Sequence, residues 1–279
     1  MGIWYALWDA LPFEMLHWDF MKNALLAVIL MAPLFGLCST MIVTGKMSFF
    51  SDALGHSAFT GIAIGSICGV AAPTWVAVLF AIGFAALFSF VRSRSNQAAD
   101  TIIGVFSSTA VALGIFIATL GGGSFTKYNR YLIGDVLSIT PGQIGLLALV
   151  LLGVVAFWVL FANKLTLASI HPQLASSRGI PVALIQGIFT AVIAVVVTLA
   201  INWVGLLILN SLLVLPGAAA RNISRNLKQY HLFSVIFALV AGVVGLILSY
   251  FLGASSGAAI CLVLAVIFGI SFAFRKVRG

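Results

Sequence analysis

The sequence of 279 residues is 62% hydrophobic and only 7% charged, whereas a soluble domain carries roughly 25% charged residues. Apolar runs of about twenty residues recur along the chain, so it predicts an all-α integral membrane protein and excludes a soluble domain. The net charge of +8 is scattered over short connecting segments, and this distribution does not indicate binding to nucleic acid.

The predicted elements begin with an interfacial segment at residues 1–22, where six aromatic residues stand among three acids. Residues 23–279 predict a single transmembrane domain of nine spans, or of eight if the short seventh one is re-entrant. The predicted spans cover approximately residues 23–43, 48–70, 72–90, 101–120, 144–161, 182–201, 204–220, 232–251 and 257–274.

The basic residues predict the orientation of these spans, because lysine and arginine accumulate in cytoplasmic loops. With the N-terminus outside and the C-terminus in the cytoplasm, eleven of the fourteen lysine and arginine residues fall on the inner side. The inverted orientation would oppose the rule in nearly every loop. We therefore expect nine spans with the N-terminus outside.

The second span contains an acid and an imidazole in an otherwise apolar helix. Asp52 and His56 are four residues apart, so they share one helix face, and Thr60 continues that row. A neighbouring row has only small side chains, which would let another helix approach closely. That row consists of Ala53, Ser57, Gly61, Gly65 and Gly69.

The Asp52 and His56 pair is the strongest functional signal in the sequence, because an acid inside a membrane is costly. At 1.5 Å per residue from Lys46, His56 lies about 15 Å along the helix, near the middle of a core about 30 Å thick. Carboxylate plus imidazole suits a divalent transition metal such as zinc or manganese. The alternatives are a proton relay, or a structural pair in which Asp52 caps the helix.

Residues 163–181 form the largest polar insertion of the second half. Pro172 suits the first turn of a helix and Gly179 suits the position after its end, so a short helix is predicted at Pro172–Arg178. It is either an ordinary connection or a docking element for a soluble partner. A further short helix is predicted near Tyr131–Leu137, and Pro216 predicts a kink or break in the seventh span.

The sequence contains no nucleotide site of its own. The Gly45–Lys46 pair lacks the earlier glycine of a phosphate loop, and no segment is long enough for an ATPase domain. A membrane aspartyl protease would need two paired aspartates, and Asp135 lies in a polar loop. We therefore expect that the chain is not an enzyme, and that any ATP is bound by a separate subunit.

Residues 47–61 read Met-Ser-Phe-Phe-Ser-Asp-Ala-Leu-Gly-His-Ser-Ala-Phe-Thr-Gly. This run resembles the signature of the membrane permeases of bacterial ABC importers for zinc, manganese or iron. Residues 131–140, 163–180 and 204–221 resemble three further stretches of that family in the same order. The chain departs from the family pattern at Gly55, at Thr60 and at Ala258, which replaces a proline.

The resemblance implies a permease domain in the bacterial cytoplasmic membrane, where Asp52 and His56 line the path of a transported zinc or manganese ion. It also implies a homodimeric or paired permease and no permanently bound cofactor. An ATPase subunit would dock at Pro172–Arg178, and an external protein would deliver the metal. The rival interpretation is a secondary carrier, coupled to protons or ions, that uses the same two residues without an ATPase.

Overall fold

A computed structural model describes residues 17–120, 131 and 134–278. Within these ranges the chain is helical and contains no strand, as the composition predicts. The α-helices that they contain are α1 Asp19–Thr44, α2 Phe50–Ile67, α3 Pro73–Arg94, α4 Ala99–Thr119, α5 Pro141–Ile170, α6 Pro172–Ser177, α7 Val182–Val204, α8 Leu206–Ile223, α9 Leu227–Leu252 and α10 Ser256–Arg278.

Each of the nine predicted spans coincides with one of these helices. Among the described residues, seven helices are long and apolar enough to cross a membrane, namely α1, α3, α4, α5, α7, α9 and α10. The polar side chains of α2 lower its hydropathy, and the part of α8 with described side chains forms only the shorter apolar segment Ile208–Ile223. The protein is thus a multi-pass membrane protein, whereas spanning by α2 and α8 stays a prediction.

The described residues divide into two compact units. The first unit comprises Met1–Thr40, Asp135–Ala156 and Ser211–Gly279, and the second comprises Met41–Gly134 and Phe157–Asn210. Helices α1, α9 and α10 lie essentially in the first unit, and α2, α3, α4, α6 and α7 lie in the second. Helices α5 and α8 have residues in both.

Close backbone approaches hold the first unit together. A Cβ atom added to Gly245 of α9 would lie 2.6 Å from the Cα atom of Ile260 in α10. The Ser39 hydroxyl of α1 accepts from the Gly217 amide at 2.7 Å and lies 3.2 Å from the Val214 carbonyl. These bonds flank Pro216, which α8 passes through without a break. The predicted break is therefore absent, whereas the alternative, a kink at Pro216, stays a prediction.

Helix α2 forms the core of the second unit, where it packs against α3, α4 and α7. A Cβ atom added to Gly61 would lie 2.5 Å from the Cα atom of Ala77 in α3. A Cβ atom added to Gly65 would lie 2.9 Å from the Cα atom of Pro73. These approaches confirm that part of the small-residue row receives a neighbouring helix. The prediction is wrong for Gly69, which follows the helix at φ 68° and has no packing neighbour within 4 Å.

The predicted short helix in the polar insertion is confirmed as α6, with Pro172 in its first turn and Gly179 in the left-handed region at φ 72°. The insertion itself is shorter than predicted, because α5 continues to Ile170.

Two other predictions fall partly on residues that the structure leaves undescribed. Residues 1–16 of the interfacial segment lie outside the described ranges, and α1 already begins at Asp19. The short helix predicted near Tyr131–Leu137 includes residues 132 and 133, which also lie outside the described ranges. At its described end, Val136–Ser138 form a single 3-10 turn, in which the Asp135 carboxylate accepts a hydrogen bond from the Leu137 amide at 3.0 Å.

Candidate metal site

The acid and the imidazole of α2 lie side by side on one helix face, as their spacing predicts. The Nε2 atom of His56 is 3.6 Å from the Oδ2 atom of Asp52. Asp52 lies in the first turn of α2, where a carboxylate interacts favourably with the helix dipole. It is not the cap, because Phe49 occupies that position and no side chain caps the helix.

Both side chains are accessible from outside the chain. The exposed fraction is 25% for the His56 side chain and 40% for the Asp52 side chain. Most of the remaining α2 residues are buried against α3, α4 and α7. The polar pair therefore lies at the open edge of a helix whose other faces are packed, so an incoming ion or a further chain can reach it.

Thr60, the third member of the row, has a different role. Its hydroxyl lies 2.9 Å from the Ala110 carbonyl of α4 and 3.0 Å from the His56 carbonyl, and its side chain is fully buried. An added Cβ on Gly114 would lie 2.8 Å from the Thr60 hydroxyl. Thr60 thus fastens α4 to α2 and has no free oxygen directed to an ion.

Ser107 of α4 is a neighbour that sequence reasoning missed. Its hydroxyl donates to the Oδ2 atom of Asp52 over 3.4 Å, a long hydrogen bond. The sequence signal was the polar Ser-Ser-Thr run inside an apolar span, but nothing local to it indicates which helix it faces. The contact joins residues 55 positions apart, so only the packing of α4 on α2 creates it.

The beginning of α8 supports the same stretch of α2. The Ser51 hydroxyl bonds the side-chain oxygen of Asn210, and a Cβ added to Gly55 would lie 2.3 Å from the Leu206 Cδ1 atom. Gly55 is one of the positions where the chain departs from the family signature. Its missing side chain lets Leu206 lie directly against α2, next to the polar pair.

Two donors do not make a closed metal site. Among the described residues, no group of three or more His, Cys, Asp or Glu side chains is close enough to hold a metal ion. A structural zinc site normally has four protein ligands. The described part of the chain therefore supplies two donors at this place, fewer than a closed metal site needs.

Comparison with known proteins gives this geometry a context. The ABC 3 transport family matches residues 17–275. The manganese transport system membrane protein MntC of Listeria monocytogenes is 27% identical over 95% of this chain and 94% of its own. The high-affinity zinc uptake system membrane protein ZnuB of Haemophilus influenzae is 27% identical, over 91% of this chain and 97% of its own.

A solved structure agrees over the full length. PsaBC from Streptococcus pneumoniae in complex with Fab is similar with a TM-score of 0.81 and 25% identity, covering 100% of both chains. The chain belongs to the ABC 3 transport family, since that family covers nearly all of its residues.

Proposed function

We propose that this member of the ABC 3 transport family is the membrane-spanning permease subunit of an importer for a divalent transition metal. Manganese and zinc are the first candidates, because relatives of both descriptions align along nearly the whole chain. Iron is the third candidate. The proposed path runs past Asp52 and His56 into the cytoplasm, and a separate subunit binds and hydrolyses ATP.

The observation that carries the proposal is the Asp52 and His56 pair. Its atoms are 3.6 Å apart, close enough for both side chains to bind one ion after small rotations. A carboxylate oxygen and an imidazole nitrogen are ligands that manganese and zinc accept. An importer must also release its cargo, which an incomplete ligand set favours over a closed one.

A second copy of the chain would complete the ligand set. A two-fold axis beside the open edge of α2 would bring two carboxylates and two imidazoles together. The partial exposure of both side chains supports this pairing, since a pair enclosed by its own chain could not be shared. We therefore propose a homodimer with its transport path along the axis.

The proposed orientation places the N-terminus outside, the C-terminus in the cytoplasm and nine helices across the membrane. In this orientation α6 and the following turn face the cytoplasm. Leu174 on this short helix is 44% exposed, so its apolar side chain is available to pack against a partner. We propose that the ATPase subunit docks at Pro172–Arg178 and that an external metal-binding protein delivers the ion.

The test is uptake of radioactive manganese and zinc by cells that express the chain with its ATPase and binding protein. Asp52→Asn and His56→Gln should each reduce uptake by about tenfold or more, since one charge-assisted ligand contributes about 1.5–3 kcal/mol. Asp100→Asn is the matched control, because its exposed carboxylate only accepts from the Thr101 amide. It should leave uptake unchanged.

Normal uptake by both variants would remove Asp52 and His56 from the path. The subunit assignment is checked separately. If the chain alone moved metal into liposomes without ATP, it would be a secondary carrier and the importer proposal would fail. Single cysteines at Pro172–Arg178 should crosslink to the ATPase subunit, and labelling of these cysteines only by external reagents would overturn the orientation.

A further inference from the structure

A cavity of about 700 Å³ lies in the second unit, between the end of α3, the end of α6 with its following turn, and the start of α7. It therefore adjoins the segment Pro172–Arg178 that is proposed to dock the ATPase subunit. Its polar lining residues include Arg92 and Ser93 of α3, Ser176 of α6 and Gln186 of α7. Its apolar lining residues include Ile180 and Leu184, together with Phe88, which is fully buried. Neither Asp52 nor His56 lines the cavity, which has a different chemistry.

Arg92 brings a positive charge to this cavity without a counter-charge. It is half-buried, and none of the carboxylates in the described part of the chain lies within 4 Å of its guanidinium. Asp100, the next acid along the chain, is exposed and accepts from the Thr101 amide. A partly desolvated cation that lacks a partner is costly, so an anion in the cavity would be stabilised there.

The first turn of α7 lines the same cavity and adds the positive end of a helix dipole. Val182, Ala183 and Leu184 line it, and the first helical bond of the segment joins the Ile185 amide to the Pro181 carbonyl at 3.0 Å. No side chain caps this end of the 23-residue helix. Its leading amides and the helix dipole therefore favour an anion at the place that Arg92 also faces.

The exposed apolar lining indicates that the anion has a hydrocarbon part. Leu184, which lines the cavity, is 61% exposed and belongs to a helix apolar enough to lie in a membrane. Free phosphate needs no such lining, whereas a phospholipid has a phosphate group attached to acyl chains. Basic pockets between membrane helices near the cytoplasmic side are suited to lipid headgroups of this kind.

We propose that this cavity binds the phosphate group of an anionic phospholipid. The Arg92 guanidinium and the first amides of α7 hold the phosphate oxygens, and an acyl chain lies along Leu184. Guanidinium and phosphate form paired, charge-assisted hydrogen bonds that a neutral or ammonium group does not reproduce. The inference requires that α3 and α7 lie in a membrane, and it is independent of the metal and of Asp52 and His56.

The experiment is native mass spectrometry of the full-length chain, purified in detergent and titrated with phosphatidylglycerol. Arg92→Gln should weaken retention of the lipid by about tenfold, the effect of losing one charge-assisted contact. Arg94→Gln is the matched control, because Arg94 is exposed and stacks on the Phe90 ring at 4.8 Å outside the cavity. It should bind phosphatidylglycerol as the unaltered chain does.

Two further arms decide the source of the phosphate group. Phosphatidylcholine, whose headgroup has no net charge, should be retained less well by the unaltered chain. Inorganic phosphate should not displace phosphatidylglycerol. If phosphate alone protected the chain from thermal unfolding as well as the lipid does, the cavity would be a site for free phosphate and the proposal would be wrong.

Arg92→Lys keeps the positive charge, so it still tests the proposal if the Arg92→Gln variant fails to fold. It should bind phosphatidylglycerol at an intermediate level, because ammonium cannot pair two phosphate oxygens as guanidinium does. Unchanged lipid retention in both Arg92 variants would overturn the proposal. If those variants instead failed to copurify with the ATPase subunit, the cavity would be a protein-docking pocket. Metal uptake defects alone have no bearing on the lipid site.

Discussion

Helices α2 and α5 differ in a way that is opposite to a soluble protein: the more apolar helix, α5, is mostly not buried, and the more polar helix, α2, is mostly buried. α5 has the highest mean hydropathy of the seven apolar helices, yet only 17% of its most apolar window is buried. α2 holds Asp52 and His56, yet 13 of its 18 residues are buried. In a membrane, lipid solvates an apolar helix, so hydrophobicity alone does not draw it inward. Small residues and polar contacts place α2 at the core of its unit.

The largest expected effect follows from the smallest side chain on α2. Gly61→Leu should destabilise the protein by about 3 kcal/mol, because its Cβ would lie 2.5 Å from the Ala77 backbone. Gly153→Leu on α5 is the control, since nothing lies within 4 Å of the Cβ position there. The measurement is the free energy of unfolding of each variant in mixed micelles, compared with that of the unaltered chain. Equal losses would contradict the proposed difference between the two helices.

Removal of the same side chain from each helix should give the next largest contrast. Leu54→Ala on α2 should cost about 2 kcal/mol, because the residue is fully buried and the substitution leaves a cavity. Leu152 on α5 is 70% exposed, so Leu152→Ala should change stability by less than about 0.5 kcal/mol. Melting temperatures of the purified variants test this pair. A larger loss at Leu152 would show that α5 is covered by another chain.

Ser107→Ala tests how much the neighbouring helix contributes to the polar pair. Its hydrogen bond to Asp52 is long, at 3.4 Å, so metal uptake should fall only about twofold. Thr109→Ala on the same helix is the control, because its hydroxyl bonds only the Val105 carbonyl. Uptake at limiting metal concentration compares the two. A loss as large as that expected for Asp52→Asn would make Ser107 a ligand.

The smallest effect is expected at Gly55 of α2, where the close neighbour is a side chain and not a backbone. In Gly55→Ala the added Cβ meets Leu206 Cδ1 at 2.3 Å, the end of a flexible side chain that can rotate away. Alanine also favours a helix over glycine by about 1 kcal/mol, so the net change in stability should be close to zero. Thermal unfolding should distinguish this variant clearly from Gly61→Leu. A severe loss would mean that Leu206 cannot move.

Local sequence patterns predicted the helices well because their causes lie within the helices. The predicted spans 23–43 and 48–70 leave a short connection between α1 and α2, and Lys46 in that connection has φ 54°. The predicted helix α6 follows from the fixed backbone of Pro172 and the permissive backbone of Gly179. The predicted end of α5 is too early, because the segment after Phe161 contains the good helix formers Ala162, Lys164, Leu165, Leu167 and Ala168 among its polar residues.

The sequence by itself determined that the chain is helical and membrane-embedded, and that Asp52 and His56 share one face, since hydropathy and i,i+4 spacing are local properties. Only the tertiary structure decided what surrounds that face. It buried Thr60 against Ala110, brought Ser107 to Asp52, and left Gly69 outside the packing row. These contacts depend on how closely α3 and α4 approach α2, and backbone approach between distant segments has no signature in either segment alone.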